Sequence, residues 1–129
     1  MNFSSYNFKL NGAQHVKDNA NTIALALNVI KADNYVTATG KIIASAAMTG
    51  ADVALAANGN DLEITINGKS IDPTATGLAT DDLVVLILDS VNSEVVLCLD
   101  ATDRIVTNDA GDTVTIPTLQ TFVRELSVV

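Results

Sequence analysis

The sequence predicts an all-β, mainly antiparallel fold: a compact β-sandwich or small β-barrel with an N-terminal arm and little helix. Three observations carry that reading. Apolar residues recur with a period of two in several short runs. Strand signals return about every 8–12 residues with turn residues between them and no alternating helical segments. The composition also suits pleated surfaces and turns, since Val and Ile together outnumber Leu, fourteen Thr accompany them, and twelve of the fifteen acidic residues are Asp. Val, Ile and Thr fit a half-buried strand, while Asp and Asn bond to nearby backbone and favour turns over helix interiors.

Taken in order, residues 1–21 are polar and Asn-rich yet carry Phe3, Tyr6, Phe8 and Leu10. They read either as an arm that docks on a partner or as a first strand or short helix of the domain; residues 22–129 read as a single β-rich domain. The first clear strand is 22–30, where Ile23, Leu25, Leu27 and Val29 alternate with small or polar groups. Residues 38–48 are expected to be a strand, although their alanines also suit a short helix. Runs at 52–57 and 62–67 flank Asn58-Gly59, and Asn-Gly supplies the positive φ values of a tight hairpin. A second Asn-Gly at 67–68 ends that strand, and Pro73 introduces a loop through about residue 80. Residues 83–88 are apolar on both faces, 89–93 turn, and 94–99 are apolar again, which predicts two adjacent central strands. A further hairpin is expected from 104–107 and 113–116, ending at Pro117, with a last strand at 121–128.

Length and charge exclude several classes. At 129 residues, with 48% hydrophobic and 17% charged, the chain is long enough to hide roughly two-thirds of its unfolded surface and too apolar for wholesale disorder. The formal charge is -8, and the seven basic residues are scattered between Lys9 and Arg124. Nucleic-acid binding needs grouped Lys and Arg, so no nucleic-acid partner is expected. An anionic membrane would repel the chain, and no apolar run approaches the ~20 residues of a spanning helix. The first residues lack the charged and apolar regions of a secretory signal, so folding in a cytoplasm is expected. Cys98 is the single cysteine, which excludes an intramolecular disulfide, and its alternation with Val and Leu marks a core side chain.

Catalytic chemistry has little to work with. A triad would have to use His15, the single histidine, and no nucleophile turn accompanies it; an exposed loop histidine is the plainer reading. One His and one Cys far apart cannot make a usual zinc site, and the dispersed glycines form no phosphate-binding loop. Hence no enzyme, catalytic residue, cofactor or metal ligand is assigned. Asp100, Asp103, Asn108, Asp109 and Asp112 crowd two turns and could suit calcium, but they lack EF-hand spacing, and Asp is ordinary turn chemistry. A calcium- or carbohydrate-binding sandwich is therefore an alternative, weakened for sugars by the absence of Trp. Domains of this kind act by presenting surface, and open sheet edges can add strands to a neighbour.

Two stretches carry a resemblance. Tyr6-Asn7-Phe8-Lys9-Leu10-Asn11-Gly12 followed by Asn21-Thr22-Ile23-Ala24-Leu25-Ala26-Leu27 resembles the opening of small virion proteins of tailed bacteriophages. Residues 83–99, with 100–116 and its Gly111-Asp112-Thr113-Val114-Thr115-Ile116, resemble their closing strands. Together these cover about half the chain; Ala24 stands where Lys is usual, and Asn19-Ala20-Asn21 where Asp-Thr-Asp is usual. The resemblance implies a non-enzymatic decoration or cement protein made in the host cytoplasm and bound to the capsid surface of the virion. Its partner would be the major capsid protein, and it would be a homo-oligomer, with a trimer favoured. Another phage structural role, as head-tail connector, tail or fibre component, is the nearest alternative. Phe3, Tyr6 and Phe8 are then expected to bind the partner, because aromatic groups dominate interface energetics.

Overall fold

The computed structural model describes residues 3–4, 12–58, 61–71, 83–101 and 113–123. The fold is mostly antiparallel β-structure with two small helices. In chain order the elements are β1 (Phe3–Ser4), α1 (Ala13–Asn19), β2 (Thr22–Leu27), α2 (Tyr35–Thr39), β3 (Ile42–Ala47), a 3₁₀ turn (Gly50–Asp52) and β4 (Val53–Asn58). They continue with β5 (Asp61–Ile66), β6 (Lys69–Ile71), β7 (Leu83–Asp89), β8 (Glu94–Asp100), β9 (Val114–Ile116) and β10 (Leu119–Val123). The strands form a five-stranded sheet in the order β1-β8-β7-β2-β3, a three-stranded sheet β10-β5-β4, and the pair β6-β9.

The main core lies on one face of the five-stranded sheet. Ile23, Leu25, Val85 and Ile87 from that sheet join Val53, Ile64, Ile66 and Leu119 from the three-stranded sheet, Ile71 and Ile116 from the pair, and Ala13 and Val16 from α1. The opposite face is also buried. There Ala24, Ala26, Val84, Leu86, Leu88 and Cys98 pack with Val29 and with Ala38 and Tyr35 of α2. Burial of β7 on both faces explains its unbroken apolar run, and Cys98 is the core side chain that its alternation predicts.

Two irregularities enlarge the main core. Between Ile87 and Leu88 the pairing jumps from Leu97 to Val95, leaving Val96 as an extra residue on β8. Such a bulge re-aims side chains, so Val96 and Leu97 both enter the main core while Val95 and Cys98 serve the other face. The β2–β3 pairing jumps likewise between Leu25 and Ala26, leaving Ile43 as the extra residue, and Ile43 and Ala44 both enter the main core.

The β4–β5 hairpin that the sequence predicts is present, with Asn58 paired to Asp61. The β7–β8 turn is shaped by Asp89, whose buried carboxylate accepts from the Val91 and Asn92 amides at 3.0 and 3.1 Å and from Asn92 Nδ2 at 2.7 Å. Two expectations, for residues 38–48 and for the start of the last strand, are corrected. Residues 38–48 are not one strand, because α2 ends at Thr39 and β3 starts at Ile42; Asn34 caps that helix, its side chain accepting from the Thr37 amide at 2.8 Å. β9 pairs with β6, joining segments far apart in sequence. The expected strand at 104–107 lies outside the described residues. The last strand begins at Leu119, earlier than periodicity suggested.

Candidate functional site

Of the three aromatic residues expected to meet a partner, Phe3 lies in β1, at the end of the five-stranded sheet, with its backbone paired opposite Cys98. Tyr6 and Phe8 lie outside the described residues. So do Asp103, Asn108, Asp109 and Asp112, whereas Asp100 is exposed at the end of β8. The sequence-predicted residues are therefore not brought into one described constellation. Among the described residues no group of three His, Cys, Asp or Glu is placed to hold a metal ion, and no helix is long and apolar enough to cross a membrane.

His15 departs from the exposed loop position expected of it. It stands on α1 with its side chain 13% exposed, and its Nε2 lies 2.7 Å from Glu94 Oε1. Asn19 Nδ2 donates to the His15 carbonyl at 3.0 Å and lies 3.2 Å from Nδ1. Contacts at both ring nitrogens, with Glu94 and Asn19, fix the orientation of the imidazole. The imidazole thus ties α1 to the start of β8. Of the alternatives for residues 1–21, a short helix is present at Ala13–Asn19, and its period is visible as Ala13, Val16 and Ala20, all buried.

α1 also reaches the edge of the other sheet. Lys17 Nζ donates to the carbonyls of Gly50 and Val53 at 2.8 and 2.7 Å. Gly50 permits this approach, since a Cβ there would stand 2.9 Å from the Lys17 carbonyl oxygen. Asp52, at the end of the 3₁₀ turn, accepts from the Thr49 amide at 3.0 Å and from Lys69 Nζ at 3.0 Å. The Thr49 amide and then Lys69 hold its carboxyl below the usual carboxylate range. Across the molecule, Lys41 Nζ lies 2.7 Å from Asp33 Oδ2, and that contact, with the Ile30 amide, lowers Asp33 likewise.

These anchors leave β3 and β4 as the outermost strands of their sheets, joined by the short segment 48–52. Neither contains a charged residue, and positions 42–60 carry one, Asp52, where the chain average of 17% would place about three. Monomeric proteins commonly guard such edges with Lys, Pro or inward charges. The charge gap was legible in the sequence; its location at two sheet edges was not. Compared with family models, curated proteins and solved structures, the chain finds no match in any of the three.

Proposed function

We propose that this chain is a non-enzymatic structural protein of a virion, a decoration or cement protein that binds the outer surface of a tailed-phage head and stabilises it. One observation carries the reading beyond the resemblance itself. The two stretches that resemble small phage virion proteins are separated in sequence, yet their described strands are neighbours in space, because β2 pairs with β7 and β7 with β8. Similarity confined to unrelated turns would not need to gather into one sheet. The charge is compatible, since an acidic outer protein avoids packaged DNA, and several modest contacts per oligomer would supply avidity against internal pressure. The major capsid protein is the partner, met through Phe3, Tyr6 and Phe8.

Co-sedimentation with empty capsids of the source particle tests this. Full-length protein is expected to pellet saturably with the shells, and a variant lacking residues 1–10 to stay in the supernatant while retaining its far-UV spectrum. Absence of co-sedimentation overturns the capsid assignment; equal pelleting by the truncated form overturns the role of the N-terminal aromatics.

A further inference from the structure

The outer edge of β4 has a defined hydrogen-bonding register. The Asn67 amide donates to the Asp52 carbonyl at 2.9 Å, which flanks the Val53–Ile66 pair and makes it a non-hydrogen-bonded pair of the β4–β5 ladder. By alternation, the N–H and C=O groups of Val53, Leu55 and Ala57 all face away from β5. Lys17 occupies the carbonyl of Val53. The groups of Leu55 and Ala57 remain turned outward, with no described strand beyond them.

We infer that copies of this chain pair through this edge, β4 against β4, antiparallel about a two-fold axis at Ala56. In that register Leu55 faces the partner's Ala57 and Ala57 faces the partner's Leu55, so each pair exchanges two main-chain hydrogen bonds and the two three-stranded sheets become one of six strands. Ala56 meets its own copy in the closely spaced non-hydrogen-bonded position, and its exposed methyl leaves room for the approach. Leu55, only partly buried over the main core, gains cover from the added strand.

The register fits a second copy as the occupant, since the outward groups of Leu55 and Ala57 lie symmetrically about Ala56, and the local charge permits it. Two copies of net charge -8 repel wherever their acidic surfaces face each other, and the edge lies in the stretch 42–60, whose one charge is already bound by Lys69. The contact is small for a permanent dimer, so association rises with concentration. It needs no capsid, so its failure is read separately from the failure of capsid binding.

Sedimentation velocity of the full chain over a concentration series tests the inference, beside Ala56→Lys and Ala57→Pro. Lysine sets two like charges against each other at the axis, while proline removes an outward amide that β5 does not use. Wild-type protein is expected to shift toward the dimer, and each folded variant to associate on the order of tenfold more weakly. Amide exchange on the wild type gives a readout without substitution, since Leu55 and Ala57 should become more protected as concentration rises. A wild type that stays monomeric, variants that associate unchanged, or amide protection independent of concentration would each overturn the pairing.

Discussion

Leu86 and Ile87 are consecutive residues of β7 that point to opposite faces, and both are fully buried. Truncating each to alanine asks whether the five-stranded sheet is covered on both sides in solution. A buried Leu or Ile loses about 2–5 kcal/mol on truncation, from lost transfer energy plus the cavity left behind. Were the face carrying Leu86 solvated, the same change would cost only about 0.5 kcal/mol. Leu86 packs in a cluster containing Ala24, Ala26 and Ala38, whose side chains are too short to fill the space it vacates. Both variants should therefore fall in the full range. Against a total of roughly 6–19 kcal/mol for a chain of this length, either loss is measurable by urea unfolding, with a Tm drop on the order of 10 °C. If Leu86→Ala stays within about 0.5 kcal/mol of wild type while Ile87→Ala shows the full loss, the two-faced burial is wrong.

Other tests address single contacts. Gly68→Ala should loosen the β6–β9 and β10 junction, because a Cβ at that position would run into the Ile116 carbonyl oxygen and stand 2.9 Å from the Pro117 backbone carbon. Amide exchange at β6 and β9 would report it, and unchanged protection would argue against the close approach. His15→Ala should cost about 1.5–3 kcal/mol by removing a hydrogen bond to a carboxylate, read by chemical denaturation at pH 7. Near-neutral behaviour would mean that α1 is not held through Glu94. Asp33 and Asp52 have carboxyls lowered in the folded state, so their contribution is fully present above the unfolded carboxylate pKa of about 4 and is lost as pH falls through their folded values. Asp33→Asn combined with Asp52→Asn should flatten the acid limb of the stability curve below about pH 4, and an unaltered limb would contradict their pairing.

The sequence made the long-range plan legible where one physical signal dominated. Asn58-Gly59 between two alternating runs announced the β4–β5 hairpin, and the two-sided apolar run at 83–88 announced a strand buried on both faces. The misses share a cause, which is that tertiary contacts decided them. α2 is five residues long and contains Val36, Thr37 and Thr39, so propensity hid it, although Asn34 before it and Gly40 after it are cap signals. Neither bulge has a local signature: Val96 and Ile43 look like ordinary strand residues until pairing places them. The β6–β9 pair joins segments more than forty residues apart, which no local pattern reveals. His15 looked solvated because its partner, Glu94, is remote in sequence. For interaction, the gap in charge over 42–60 could be read directly, but only the sheet order makes it the outer strands of two different sheets.

The most direct test of the proposed role is to image empty capsids of the source particle by electron microscopy after mixing them with the purified chain. Regular added density at symmetry-related sites on the outer shell, absent when residues 1–10 are removed, is the predicted result. Bare shells at saturating protein, or density confined to the tail, would contradict capsid decoration.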